Sequence, residues 1–136
     1  MKLILKRNAT TYHGRNGVVK DTQSGLETTL SKPKEMGGFG GKGTNPEELF
    51  AMGYSSCLAS SMEYLLMTDN VKYEDLYVKA VAELVMDPEK GFEFQLTVEA
   101  RIQGVTKDIE KSYVDKAYDF CPYSKAIRGN VEVKFV

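Results

Sequence analysis

The stretch "NPEELFAMGYSSCLASSMEYLLMT", residues 45–68, constrains this chain more than any other segment. Asn45 can cap a helix, Pro46 suits its first position, and Glu47 and Glu48 lie where the helix dipole favours negative charge. Asn45 followed three residues later by Glu48 is also the spacing of a capping box. The pattern predicts a helix over 46–68, closed by "DN" at 69 and 70. Its body is apolar nearly all round, from Leu49, Phe50 and Met52 through Tyr54, Cys57 and Leu58 to Met62, Leu65 and Leu66. Such a helix is buried on most sides. Gly53, Ala59 and a run of serines are interleaved with these residues, and small side chains let another backbone approach closely. The helix is therefore expected at the centre of the fold, with a sheet on one side and a second copy of the chain on another. Glu63 and the serines argue against a membrane span.

The rest of the chain supplies the sheets. Residues 2–13 read as a strand, and "GRNG" (14–17) and "TQSG" (22–25) read as turns. With "VVK" and "LETTLSK" they predict a small antiparallel meander. "LYVKAVAELVMD" (76–87) and "FEFQLTVEARI" (92–102) alternate cleanly around the turn "PEKG", which predicts a long β-hairpin with one wet face. Thr106 opens a further helix with Ile109, Tyr113 and Ala117 at helical spacing. Pro122 suits the start of another, Gly129 stops it, and "VEVKFV" is a last strand. The expected fold class is α+β, with one domain over residues 1–136.

Composition narrows the function. The net charge of −1, with Lys and Arg spread along the chain, argues against nucleic acid or an anionic membrane as the main partner. No signal-peptide h-region follows Met1, and the expectation is a cytoplasmic protein. Two cysteines in a reducing compartment point to redox or catalytic use more than to a structural disulfide. Two cysteines and one histidine do not build a closed zinc site, so no metal is expected. The glycine-rich "MGGFGGKG" (36–43) departs from the phosphate-binding loop pattern, because Lys42 is followed by Gly43 before Thr44. It reads as a connector.

The two cysteines sit in different settings. Cys121 directly precedes Pro122 and so falls at or near a helix N-cap. Unpaired backbone N–H groups there favour thiolate, and such positions depress a cysteine pKa from about 8.5 to as low as ~3.5–7.5. The plainer alternative is an ordinary buried cysteine. Cys57 lies mid-helix, where burial raises the pKa and makes the thiol inert unless a cation reaches it. Arg15 in the "GRNG" turn is one candidate.

"GGFGGKGTNPEELFAMGYSSC" together with "CPYSKAIRGN" closely resembles the organic hydroperoxide resistance proteins, a branch of the superfamily of osmotically inducible protein C. The resemblance runs over nearly the whole chain, including "GRNG" and the order of elements. It implies the fold of that superfamily, with antiparallel sheets around a buried central helix in an intertwined homodimer. It also implies a thiol peroxidase that reduces organic hydroperoxides to alcohols without a cofactor. Cys57 would be the peroxidatic cysteine, Cys121 the resolving one, and Arg15 with Glu47 the pair that tunes the first thiol. A dithiol reductant, carried as a lipoyl group on a partner protein, is implied as well. Lys125 and Ile127 stand where the family more often has Asn and Thr, and "SSCLASS" follows Tyr54 where small and aromatic residues are commoner. These departures bear on pocket shape and substrate range.

Glu47 and Cys57 are ten residues apart, about 15 Å along an unbroken helix. Either the helix is interrupted, Arg15 bridges the gap, or Glu47 comes from a second chain. Two rival functions use the same fold: a non-catalytic stress-related binding module, and an oxidoreductase acting on protein thiols. His13, the only histidine, is expected at the surface, since a thiolate attacking a peroxide needs no histidine base.

Overall fold

The computed structural model describes residues 1–136, which form two compact units, Met1–Leu49 and Phe50–Val136. In the first unit, β1 (Thr10–Tyr12), β2 (Val18–Lys20) and β3 (Glu27–Thr29) form an antiparallel sheet in that order. Thr11 pairs with Val19, which pairs with Thr28. The meander is as expected, but its strands are shorter. The strand expected over 2–13 is confined to Thr10–Tyr12. β2 offers three residues for pairing, and a strand without a ladder partner leaves its backbone groups to water. Leu3, Ile4 and Leu5 are accordingly exposed.

The segment read as the strand "LETTLSK" is cut short as well. Beyond Thr29 the backbone turns to Thr44, with Ser31 N–H donating to the Thr44 carbonyl and Thr44 N–H donating to that of Thr29. This brings the end of the glycine loop against Leu30 and Ser31. A Cβ on Gly43 would lie 2.4 Å from Ser31 Oγ and 2.7 Å from its backbone nitrogen. One on Gly38 would lie 2.1 Å from the Lys32 carbonyl oxygen. Close backbone approach accounts for these two glycines, in keeping with a connector.

Helix α1 runs over Pro46–Thr68. Asn45 Oδ1 accepts the Glu48 N–H at 2.8 Å, as an N-cap should. The capping box is not reciprocal, however. The Glu48 carboxylate accepts instead from the Thr44 hydroxyl, at 2.7 Å. At the other end Asn70 takes a left-handed conformation (φ 54°), and Val71 N–H closes on the Leu66 carbonyl.

In the second unit, β4 (Asp75–Asp87) and β5 (Gly91–Gln103) form the hairpin, with Ala80 opposite Val98. Helix α2 (Lys107–Phe120) is capped by the Thr106 hydroxyl, which accepts from Ile109 N–H. Helix α3 (Pro122–Ile127) follows, and β6 (Glu132–Phe135) returns parallel to β5. Two helices in the connection give the chain room for a parallel return.

The core lies on the inner face of β5. Leu96, Val98, Ala100 and Ile102 cluster with Tyr113 and Ala117 of α2 and with Tyr54, Leu58, Met62 and Leu66 of α1. The four α1 residues recur at i+4 and so form one stripe. The opposite face, with Met52, Ser60, Glu63 and Met67, is exposed in the single chain. The helix expected to be buried on most sides is buried by its own chain on one. Met86 and Phe92 pair with each other beside the turn, beyond the reach of the core cluster, and are exposed.

α2 also carries a nearly buried carboxylate. Glu110 accepts the Ile102 N–H at 2.8 Å and Lys107 Nζ at 2.9 Å. The Ile102 bond, and then Lys107, hold its pKa below the usual carboxylate range.

The cap on α1 makes a measurable claim. Asn45→Ala should destabilise the protein by about 1 kcal/mol, because Glu48 N–H loses its partner. Asn45→Ser should restore most of that. Urea unfolding should show a lower midpoint with an unchanged slope for the alanine variant. Equal midpoints would mean that Asn45 does not cap the helix.

Candidate active site

Cys57 sits mid-way along α1, one turn after Gly53. The helix closes normally around it, with Ser61 Oγ donating to the Cys57 carbonyl at 2.9 Å. Gly53 has a specific reason to be glycine. A Cβ there would lie 3.0 Å from the Tyr123 hydroxyl and 3.1 Å from its ring, so α3 is pressed against α1 at this level.

Cys121 joins α2 to α3, as the last residue of one cap and the first of the next. Its extended backbone (φ −60°, ψ 125°) turns the chain between them, and Pro122 opens α3 as expected. Its N–H donates to the Ala117 carbonyl at 2.8 Å, and its own carbonyl accepts from Lys125 N–H at 3.0 Å. The side chain is fully buried. The two cysteines, 64 residues apart in the chain, come together here. Their sulfur atoms are 3.4 Å apart. A disulfide would need about 2.05 Å. The pair is thus a dithiol in hydrogen-bonding contact, with Cys57 partly exposed and Cys121 sealed.

The two thiols are not equivalent. Burial pushes Cys57 up, and the neighbouring Cys121 adds to this, with the Tyr123 N–H opposing. Burial also opposes ionisation of Cys121. It is outweighed by the Ser124 N–H, by Cys57, by the Ser124 hydroxyl and by the Tyr123 N–H, and the net direction is down. No cap hydrogen bond of ordinary geometry closes on the Cys121 sulfur, so its anion is favoured by several loose polar neighbours. These directions agree with what the two local sequences imply, an N-terminal position for one cysteine and apolar burial for the other.

Arg15 and Glu47 meet within the first unit. Arg15 lies in the 3-10 turn Gly14–Asn16 that follows β1, and Glu47 lies in the first turn of α1. The two guanidinium Nη atoms donate to the two carboxylate oxygens at 3.0 and 2.7 Å. This is the parallel two-bond fork that favours Arg over Lys. The hydrogen bond from Arg15 pulls Glu47 below the usual carboxylate range, and the same bond raises Arg15. Of the options left open by the sequence, an interrupted helix does not occur, and the fork closes within one chain.

His13 is exposed at the head of this turn in a left-handed conformation (φ 60°). Two further residues went unassigned in the sequence. Tyr54 and Ser124 are both fully buried, and their hydroxyl oxygens are 2.9 Å apart. Ser124 belongs to the same short motif as Cys121, but its partner lies 70 residues away and no local pattern could name it.

The surroundings are apolar. Phe50 stacks on Phe94 with ring centroids 4.9 Å apart, and Tyr64 stacks on Phe120 at 5.2 Å. Phe50 and Ile127 pack partly buried against the same core as Cys57.

Comparison with known proteins identifies the family. The family model described as OsmC-like protein matches residues 39–136. The organic hydroperoxide resistance protein of Xanthomonas axonopodis pv. citri is 37% identical over 139 residues, covering 97% of this chain and 93% of that protein. An organic hydroperoxide resistance protein-like 2 of Staphylococcus epidermidis is 37% identical over 122 residues, covering 89% of this chain and 86% of its own length. The crystal structure of an organic hydroperoxide resistance protein from Legionella pneumophila superposes with a TM-score of 0.93 at 40% identity, over 98% of this chain and 97% of that one. With the motifs around both cysteines, these matches place the chain in the OsmC-like family, among its organic hydroperoxide resistance proteins.

Proposed function

We propose that this protein is a thiol-dependent peroxidase that reduces organic hydroperoxides to alcohols, as a single-domain homodimer in the reducing cytoplasm. The observation that carries the reading is the dithiol of Cys57 and Cys121, with sulfurs 3.4 Å apart. The names of the relatives supply the substrate class. The Cys57 thiolate attacks the distal peroxide oxygen, the O–O bond breaks, and the alkoxide leaves as an alcohol after taking a proton. Cys57 is then a sulfenic acid. The Cys121 thiolate attacks the Cys57 sulfur, the S–O bond breaks, and hydroxide leaves as water. The resulting disulfide is reopened by an external dithiol, which is itself oxidised to a disulfide; a lipoylated protein is the proposed donor. No metal or organic cofactor takes part.

Arg15 is assigned the cationic role in the first step, and Glu47 holds its guanidinium in one orientation. Burial disfavours the Cys57 thiolate, and a cation brought beside it would favour that form. The dimer is proposed from apolar surface that one chain leaves open: Met52 and Met67 on α1, and Leu3, Ile4 and Leu5 before β1.

The two cysteines should fail differently. In an assay with a tert-alkyl hydroperoxide and dihydrolipoamide, Cys57→Ser should lose turnover entirely. Cys121→Ser should consume about one equivalent of peroxide and stall, with oxygen added to Cys57 by mass spectrometry. Turnover near wild type in Cys57→Ser would sink the peroxidase reading, and disulfide exchange without any peroxide consumption would favour the protein oxidoreductase.

Arg15→Ala should slow the peroxide step by the loss of one charge contact, on the order of 2–4 kcal/mol, and leave disulfide reduction nearly unchanged. Arg15→Lys should recover only part. The sign of the pH effect follows from Glu47. Its folded pKa is depressed, so the fork persists above the ordinary carboxylate range and loosens only as pH falls through that lowered value. The ratio of the wild-type rate to the Arg15→Ala rate should therefore stay constant from neutral pH down through that range. A fall with the ordinary carboxylate midpoint would separate the fork from the reaction.

The dimer should bury more than about 2,000 Å² in total, mostly apolar. Sedimentation at nanomolar concentration should still show a dimer, and a stable, active monomer there would refute it.

A further inference from the structure

The helices that bring the two sulfurs together meet a second time, one step further along. Tyr54 precedes Cys57 by three residues on α1, and Ser124 follows Cys121 by three residues on α3. Their hydroxyls are 2.9 Å apart, and both side chains are wholly shielded from solvent. The pairs 54–124 and 57–121 therefore step in opposite directions along the two helices, as successive rungs of one ladder. The second rung carries no charge and no thiol. Phe and Ala in these places would fill nearly the same space without burying polar atoms. A neutral hydroxyl pair adds little net stability, so its value lies more in direction than in strength. The close fit of Tyr123 over Gly53 presses α3 on α1 at the same level.

We infer that the Tyr54–Ser124 hydrogen bond is a register clamp that holds Cys121 in line for bond formation with Cys57. Tyr54 and Ser124 are positioning residues for the disulfide and touch no peroxide. The inference rests on the proposed function only in requiring that Cys57 and Cys121 form a disulfide. To do so the sulfurs must close from 3.4 Å to about 2.05 Å. A hydrogen-bonded rung beside them resists sliding of α3 along α1 and still permits this approach. Without it, the same two thiols spend less time aligned, and the effective concentration of one toward the other falls.

The test is a thiol–disulfide equilibrium, read without peroxide. Wild type, Tyr54→Phe, Ser124→Ala and the double variant are equilibrated with mixtures of reduced and oxidised glutathione. Two protein S–H bonds and one glutathione S–S bond are lost, one protein S–S bond and two glutathione S–H bonds form, and two electrons pass to glutathione. Alkylation and mass spectrometry give the fraction of protein disulfide. Each single variant should lower the equilibrium constant for disulfide formation about tenfold, or about 30 mV for a two-electron couple. The double variant should sit at about the same value, since a single bond is lost.

Thermal unfolding of the reduced proteins separates position from stability. The double variant leaves no unpaired buried hydroxyl, so it should regain much of the stability that a single change removes, while its disulfide equilibrium stays displaced. If Ser124→Ala does not fold, Tyr54→Phe, which keeps the ring, carries the test. An equilibrium unchanged in Tyr54→Phe, or one that recovers with stability in the double variant, overturns the clamp and leaves the peroxidase reading standing. A wild type that forms no intramolecular disulfide at any glutathione ratio overturns both the clamp and the resolving step.

Discussion

The packing of α1 on the inner face of β5 is the constraint on which residues 50–136 depend. Tyr54, Leu58, Met62 and Leu66 form one i+4 stripe, and it meets the alternating Leu96, Val98, Ala100 and Ile102. Fully burying side chains of this kind stabilises by about 1.5–3 kcal/mol each, more than an ordinary neutral hydrogen bond. With that stripe inward, Cys57 is rotated to the margin of the core, where it is partly buried. The α2 helix lies on the same cluster through Tyr113 and Ala117, and its end delivers Cys121 into that cluster beside Cys57. The sulfur contact is thus a product of hydrophobic packing. The polar groups around it adjust the chemistry without having to hold the fold.

The elements that were legible in the sequence are those set by local physics. Helix α1 could be bounded because Asn45, Pro46 and the two glutamates agree at one end and Asn70 can turn left-handed at the other. The hairpin could be read because alternation over thirteen residues in each strand fixes which face is inner. The failures involve partners. Residues 2–9 have the composition of a strand, yet composition cannot say whether a ladder waits for them. The parallel return of β6 rests on four residues pairing across two helices. No period in so short a run distinguishes it from an antiparallel edge.

The candidate site divides in the same way. The distinct leanings of the two thiols followed from their neighbours in sequence, a proline after one and a helix interior around the other. Their meeting did not, since 64 residues of spacing carry no distance. The resemblance to known proteins paired them. The Arg15–Glu47 fork was paired by resemblance too, and its two-bond geometry was expected from the chemistry of guanidinium and carboxylate. Tyr54 and Ser124 went unassigned because each alone reads as an ordinary core or motif residue. Once 57 and 121 are known to touch, one helical turn in opposite directions leads straight to them.

Access and acidity point the same way along the proposed cycle. Cys57 is partly exposed where Cys121 is buried, so in the proposed cycle peroxide and reductant both meet Cys57. Cys121, wholly buried, can only ever be the internal partner. Its lowered pKa suits both of its turns. When it attacks the sulfenic acid, a larger fraction is already thiolate. When an external dithiol attacks the Cys57 sulfur of the disulfide, Cys121 is the thiolate that leaves, and a thiol of lower pKa leaves faster. A mixed disulfide formed at Cys57 would have two possible fates, return of Cys121 or completion by the second thiol of the reductant. A reductant with both thiols on one small arm can complete the exchange before Cys121 returns to the Cys57 sulfur, whereas a monothiol must arrive twice. In the proposed cycle, access through Cys57 alone would thus favour a dithiol over a monothiol.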